Sequence, residues 1–289
     1  MGNPYFIDEP AAISFSGGRT SAYMLYKILE AHGGTLPEDV KVTFANTGKE
    51  MPQTLDFVKE CGENWDVEII WLERYAEKNP LYGEPKENKY KYATRITNHG
   101  LAARNGEPFA GLIKARRYAP NPVARFCTVD MKIRAISEYM LDIVEAPSPY
   151  IGVIGIRADE VRRAKKMHGI IESGQERYLP LYLDGKTKED VCDFWDSMPF
   201  DLQLPNDNGV TPFGNCDLCF LKGLGRKMSI IRARPDLADW WIDQEEKLSN
   251  EVGKGAYFRA DQPSYAQMKE IALTQPDTSP PIHPYQASR

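Results

Sequence analysis

Long apolar runs are missing from this chain. No stretch of about 18 apolar residues occurs, so no segment reads as a membrane-spanning helix. The N-terminus, Met1-Gly2-Asn3-Pro4-Tyr5, lacks a basic region followed by an apolar one, so no secretory signal is read there. Cysteine is sparse and odd in number: Cys61, Cys127, Cys192, Cys216 and Cys219. Five cysteines without a signal argue against a disulfide framework and for a reducing, cytoplasmic setting, where grouped cysteines bind metal or do redox chemistry. An excess of positive charge is also lacking. Lys and Arg number 36 against 41 Asp and Glu, a net charge of -5, which excludes a globally basic nucleic-acid binder but not a local basic surface. There is no internal repeat, and no GxxxxGK[ST] loop of the kind that cradles β- and γ-phosphates.

The apolar content is nonetheless 42% of 289 residues, enough for the core of one α/β domain with insertions or a small appendage. Residues 11–16 read as a short buried strand broken by Gly17-Gly18. From Thr20 to about His32, Tyr23, Met24, Ile28 and Leu29 recur at helical spacing, and Gly33-Gly34 ends the helix. Lys41–Asn46 and Val67–Leu72 read as strands flanking a short helix over Thr54–Cys61, with Pro52 near its first turn. This alternation predicts a doubly wound parallel sheet. Residues 74–126 break the rhythm and read as an insertion of short helices and loops. Met131–Val144 reads as a helix, Tyr150–Ile156 as a strand and Arg177–Leu183 as the last strand. Thr187–Trp195 opens a helix with Thr187 as cap and Asp190 three residues on. Residues 199–223 read as loop, then Leu224–Arg234 and Leu237–Ser249 as helices split by Pro235. Three parts are expected: a nucleotide-binding α/β domain over 1–200, a cysteine-containing helical extension over 201–273, and a Pro-rich tail over 274–289.

The first strand ends in Ser16-Gly17-Gly18-Arg19-Thr20-Ser21 at the start of a helix. Backbone N–H groups and the positive helix end meet there, glycines let the backbone approach an anion, and Ser16 and Ser21 add hydroxyls. After the strand at 150–156, Arg157 and Arg163 fall just past a strand's C-terminal end, where open α/β sheets bind ligands. Guanidinium groups match phosphate or sulfate bidentately, and Glu160 could anchor one of them.

The Ser16–Ser21 loop resembles the SGGxDS loop of PP-loop ATP pyrophosphatases and sulfonucleotide (PAPS/APS) reductases, with Thr20 where many relatives carry Asp. Phe44-Ala45-Asn46-Thr47-Gly48-Lys49-Glu50-Met51-Pro52-Gln53-Thr54 resembles that family's second-strand segment, Gly155–Arg163 its "G-x-R-x-x-E-x-x-R" segment, and Leu179-Pro180-Leu181 with Thr187–Trp195 its "P-L…W-T-x-x-D-V-W" segment. The resemblance covers roughly residues 10–250 in the family's order. It implies a PP-loop, adenine nucleotide α-hydrolase-like fold acting on the α-phosphate of ATP or PAPS with Mg²⁺. Nucleotide-binding candidates are then Ser16, Gly17, Gly18, Arg19, Thr20, Ser21, Asn46, Thr47 and Gly155, and catalytic candidates are Arg157, Arg163 and Lys132.

Cys216-Asp217-Leu218-Cys219 alone suits half a zinc site or a redox pair. A third cysteine, Cys127, opens Cys127-Thr128-Val129-Asp130-Met131-Lys132-Ile133, with 88 residues between it and Cys216. In cluster-bearing sulfonucleotide reductases a Cys-Cys pair precedes such a helix and a distant C-x-x-C completes a [4Fe-4S] site. Here Phe126-Cys127 replaces the pair. Three thiolates leave one iron open or held by a non-cysteine ligand, as in related sulfur-transfer enzymes. A zinc site completed by His168 or a carboxylate, and free or redox thiols, are the alternatives. Cys61 and Cys192 read as structural. The reductases attack sulfate with a cysteine near the C-terminus, whereas residues 220–289 contain none.

Residues 74–134 hold 13 Lys/Arg against 5 Asp/Glu, a local charge of +8, with Tyr82, Tyr90, Tyr92, Phe109 and Tyr118 interleaved. Such a pattern suits a polyanion, with tRNA or DNA as acceptor, or simply the nucleotide's own phosphates. His32, His99 and His283 show no partner pattern and read as surface residues. The leading expectation is an ATP pyrophosphatase-type sulfurtransferase that adenylates its acceptor and draws sulfur from a donor protein or sulfide. A PAPS/APS reductase and a non-catalytic nucleotide sensor with a structural metal are the alternatives.

Overall fold

β1 (Ala11–Ser14) lies at the centre of a seven-stranded sheet in a computed structural model that describes residues 2–81, 89–252, 256–275 and 282. The chain passes from β1 through helix α1 (Arg19–Ala31) to β2 (Val40–Ala45), then through α2 (Pro52–Asn64) to β3 (Ile69–Lys78). Each of these strands is parallel to the one before. β1 and β2 are buried on both faces, which is why they read as near-continuous apolar runs and not as alternations. Pro52 opens α2, where its missing N–H costs nothing.

β3 runs six residues beyond the expected Leu72 and pairs antiparallel with β4 (Tyr90–Thr97) at the sheet edge. The insertion therefore begins as a β-ribbon, which corrects the expectation of short helices and loops at 74–97. No residue of β4 is fully buried, and the half-buried Tyr90, Tyr92 and Thr94 alternate only with exposed neighbours, a weak signal; pairing with β3 makes it a strand. α3 (Glu107–Arg116) follows, then a helical run over residues 126–143 in which α and π turns alternate.

β5 (Tyr150–Ile154) returns to the other side of β1, and β7 (Gln175–Tyr178) extends the sheet beyond it. The expected last strand at Arg177–Leu183 is thus shifted: Pro180–Leu183 is a helical turn, begun by a proline suited to that position. A two-residue strand, β6 (Ile171–Glu172), pairs antiparallel with β7. The strand order is β4-β3-β2-β1-β5-β7-β6.

Helices cover both faces, which makes the sheet doubly wound. On one side α1 and α2 pack with the helix Lys188–Ser197 around Phe57, Trp65, Phe194, Trp195 and Phe200. Thr187 and Asp190 form the capping box expected of that helix. On the other side Ala135, Ile136, Tyr139 and Met140 cover Ala12, Ile70, Leu72 and Tyr150.

Beyond the loop region 199–223, the helices Leu224–Ala233 and Ala238–Val252 appear as expected, joined by a short turn at Pro235. A further helix, Tyr265–Thr274, is capped by Ser264 and Gln267. Trp241, Phe258 and Tyr265 stack together and meet Phe109 of α3, joining this helical region to the insertion. No helix among the described residues is long and apolar enough to cross a membrane. Apart from Thr274, Gln275 and Ile282, the expected tail lies outside the described residues, as do Tyr82 and His283.

Candidate functional site

The chain builds β2 and β3 on one side of β1 and then places β5 on the other, so a topological switch point falls between β1 and β5. In open α/β sheets this is where ligands bind, outside the C-terminal ends of the strands. The loops after β1, β2 and β5 all meet there.

After β1, Gly17 adopts φ +72°, and a Cβ at that position would stand 2.6 Å from Thr54 Cγ2 and 3.1 Å from Val58 Cγ2 of α2. The turn is tight because α2 occupies the space a side chain would need. The Ser16 amide donates to Ser21 Oγ (3.1 Å), the Ser21 hydroxyl donates to the Gly18 carbonyl (2.9 Å), and the two serine hydroxyls stand 2.9 Å apart. The loop is closed on itself, with Ser16 exposed. From β5, Gly155 approaches so closely that a Cβ would lie 3.3 Å from Ser21 Cα. Arg157 follows and donates to Thr20 Oγ1 (3.2 Å) while Asp159 holds it by a two-point pair at 2.9 Å. Ser16, Thr20, Ser21, Gly155 and Arg157 are therefore brought together.

Three other candidates are placed differently. Arg19 is buried, and its guanidinium pairs with Asp201 at 2.6 and 2.5 Å, Thr211 Oγ1 at 3.1 Å and the Leu204 carbonyl at 3.0 Å. It ties the loop's helix to the 199–223 region. Asn46 donates to Glu73 (2.6 Å) and the Ala103 carbonyl (2.9 Å) and accepts from the Gly48 amide (3.1 Å), which fills its side chain. Arg163 is exposed and paired with Glu160 at 2.9 Å.

Arg19→Ala is therefore expected to cost about 3 kcal/mol of stability, because Asp201 loses its buried partner. The urea midpoint measures it. An unchanged midpoint with collapsed nucleotide affinity would instead place Arg19 at the phosphates.

After β2 the chain turns through Thr47-Gly48-Lys49-Glu50 into α2. Glu50 is buried; one carboxylate oxygen accepts from the Thr47 amide (2.9 Å), the Thr47 hydroxyl (2.8 Å) and the Lys49 amide (3.2 Å). Cys216 pairs its backbone with Glu50 in an isolated antiparallel bridge, and its sulfur lies 3.4 Å from Thr47 Oγ1. Between the two cysteines, Asp217 is buried and bonded to Lys49 Nζ (2.9 Å) and Trp241 Nε1 (2.8 Å), while its amide donates to the Lys49 carbonyl (2.8 Å). Lys222 Nζ donates to the Gly214 and Cys216 carbonyls, and Tyr265 Oη donates to the Leu218 carbonyl. The C-terminal helices thus clamp the Cys-Asp-Leu-Cys loop onto the β2 turn. Sequence reading left Lys49, Glu50 and Asp217 without roles. Their one signal was position, Glu50 three residues past Thr47 and Asp217 between two cysteines.

Cys127 arrives from the helical run over 126–143. A π turn bonds residues five apart, and Lys132, in the π segment Val129–Arg134, is five residues from Cys127. Burial and the neighbouring Cys219 push the Cys127 thiol up to about 11, with Lys132 opposing. Burial, Glu50 and Cys219 push Cys216 well up, again against Lys132. Burial pulls Lys132 down, but Glu50 and the three cysteines outweigh it, so its pKa is raised. All three cysteines, Glu50 and Lys132 thus share one neighbourhood. Among the described residues, no three His, Cys, Asp or Glu side chains stand at the spacing of a single bound ion. Cys61 lies apart on the buried face of α2, in the main core, its thiol pushed up by burial.

The basic insertion is partly neutralised: Arg74 pairs with Glu138, Arg95 with Glu77, and Arg116 and Arg134 with Asp130. Lys89, Lys91, Lys114, Arg117 and Arg125 are exposed.

No protein-family model matches the chain. Over 247 residues it is 34% identical to the uncharacterized nin region protein ORF290 of Escherichia phage lambda, covering 86% of this chain and 75% of that protein. The chain belongs to the family of the lambda ORF290 protein. It is also 34% identical over 92 residues to the uncharacterized protein MJ0066 of Methanocaldococcus jannaschii, covering 31% of this chain and 18% of that one. Among solved structures it is similar to the U34-tRNA thiolase NcsA from Methanococcus maripaludis with its [4Fe-4S] cluster. That match has 13% identity and a TM-score of 0.41, and covers 94% of this chain and 73% of the other. A likeness at that level assigns no residue a role.

Proposed function

We propose that this member of the lambda ORF290 family is an ATP pyrophosphatase-type sulfurtransferase that uses an iron–sulfur cluster. One observation carries the reading: Cys127, Cys216 and Cys219 gather beside the β2 turn, at the same end of the sheet as the phosphate loop. The residues fit a cluster chemically. The thiols of Cys127 and Cys216, pushed up by burial, ionise when a cation arrives, since the thiolate is the ligand. Lys132 lies among the sulfurs, where it balances their charge once they ionise.

In this reading residues 1–200 bind ATP and Mg²⁺, and residues 201–273 carry the C-x-x-C loop. The amides of Gly17 and Gly18, with Ser16 and Ser21, hold phosphate oxygens at the start of α1. Arg157, anchored by Asp159, sits over Thr20 and stabilises charge developing on the α-phosphate, with Arg163 at the mouth. An oxygen of the acceptor attacks the α-phosphorus, the bond to the bridging oxygen breaks, and pyrophosphate leaves. Hydrosulfide, supplied as such or released by a donor protein, then forms a bond to the acceptor carbon as the carbon–oxygen bond breaks and AMP departs. A bound cluster would supply iron to hold that sulfur. The exposed Lys89, Lys91, Lys114, Arg117 and Arg125 suit a tRNA or DNA acceptor.

The test uses protein purified without oxygen. It is given ATP, Mg²⁺ and sulfide with bulk tRNA or DNA, and separately PAPS with thioredoxin. Acceptor-dependent pyrophosphate is expected, and no sulfite. Sulfite without pyrophosphate would make it a reductase; nucleotide binding with no turnover would make it a sensor.

A further inference from the structure

The carboxylate of Glu50 is only half accounted for. Its Oε2 takes three donors from the Thr47–Lys49 turn. Its Oε1 is buried and has no hydrogen-bond partner. The nearest cation, Lys132 Nζ, stands 4.0 Å away, too far for a hydrogen bond. A buried carboxylate oxygen left without a donor costs free energy that a protein ordinarily avoids. The side chain is 2% exposed, so water does not supply the missing partner from bulk.

What surrounds this oxygen is the cysteine group. Glu50 and Cys216 are paired through their backbones, and Thr47 Oγ1 touches both side chains, at 2.8 Å from Glu50 Oε2 and 3.4 Å from Cys216 Sγ. Lys132 faces Glu50 from the helical run that carries Cys127.

We infer that Glu50 Oε1 is the non-cysteine ligand of the metal centre held by Cys127, Cys216 and Cys219. The inference rests on the cluster reading above. Three thiolates satisfy three irons of a four-iron cluster, and a carboxylate oxygen, exchangeable for the sulfur that iron would hold, suits the fourth. The three donors on Oε2 orient the carboxylate, as partners of metal-binding carboxylates commonly do. Lys132 then stands beside the ligated oxygen and offsets the negative charge of the thiolates and cluster.

Glu50→Gln is the decisive variant. Glutamine can present its one oxygen to the same three donors, so the turn keeps its shape, while an NH₂ group replaces the proposed ligand atom. Wild type, Glu50→Gln and Cys219→Ser are reconstituted without oxygen using ⁵⁷Fe and sulfide. Iron and sulfide content, Mössbauer and reduced-state EPR spectra are recorded, with circular dichroism as the folding control. In wild type one iron of the cluster is expected to show oxygen ligation distinct from the thiolate-bound irons. In Glu50→Gln that signature should disappear, with cluster content reduced severalfold or the fourth iron lost. Identical spectra and content in wild type and Glu50→Gln would overturn the role of Glu50 and leave the cluster standing. Absence of iron from wild type, or iron unaffected by Cys219→Ser, would overturn the cluster reading itself. If Glu50→Gln fails the folding control, Glu50→Asp is read in its place; it keeps the carboxylate but withdraws it, and an unchanged oxygen-ligated iron there would overturn the inference.

Discussion

Gly17→Ala is expected to abolish adenine-nucleotide binding and to destabilise the fold by about 2–5 kcal/mol. The backbone there has φ +72°, a conformation that costs a side-chain-bearing residue roughly 1–2 kcal/mol. The added methyl would stand 2.6 Å from Thr54 Cγ2, and such overpacking costs typically about 1–3 kcal/mol more. Relief requires the turn to move away from α2, and the amides that would face phosphate move with it. Gly18 provides the contrast. A Cβ there meets only Ser16 Oγ, at 3.7 Å, so Gly18→Ala should fold normally and report on phosphate space alone. Calorimetry with ATP and with PAPS, and urea unfolding of each variant, measure the two effects. A Gly17→Ala protein with unchanged affinity and midpoint would reduce the loop to an ordinary strand–helix turn.

Replacing any one of Cys127, Cys216 or Cys219 by serine should remove the visible absorption and the iron of anaerobically prepared protein. Replacing Cys61 by alanine should leave both intact. The three cysteines share a neighbourhood with Glu50 and Lys132, and each thiolate lost removes a bond that no other cysteine is placed to replace. Cys61 is sealed in the core on the buried face of α2, so its loss should show only in stability, as a cavity. Iron and acid-labile sulfide analysis, with the absorption spectrum, decide between the sets. Stoichiometric zinc without iron in the wild-type protein would replace the cluster with a zinc site. Equal loss of iron on changing Cys61 would mean that the cysteines act through folding and not through ligation.

The glycine turn between β1 and α1 was legible because its determinants are local. A buried strand, two glycines and an amphipathic helix lie within about twenty consecutive residues, and strand ends, glycine turns and helix starts are short-range physics. The capping box of Thr187 and Asp190 was legible for the same reason. β4 was not, because a strand with no fully buried face has only a weak periodicity, and pairing with β3 gives it its shape. The partner of Arg19 was not legible, because Asp201 is 182 residues away and nothing near Arg19 announces it.

From the sequence alone came the alternation that makes a doubly wound sheet, the glycine turn at its first strand, and three cysteines set apart from the other two. Backbone sterics and hydrophobic periodicity act within a few residues, so a linear reading reaches them. Only the tertiary structure decided which polar groups are spent and which remain available. Folding buries Arg19 against Asp201, fills Asn46 with Glu73 and Ala103, clamps Asp217 between Lys49 and Trp241, and leaves one oxygen of Glu50 without a donor. Each of these outcomes depends on hydrogen-bond partners far apart in the chain, and the need of every buried polar group for a partner is met or missed only once the chain has closed on itself.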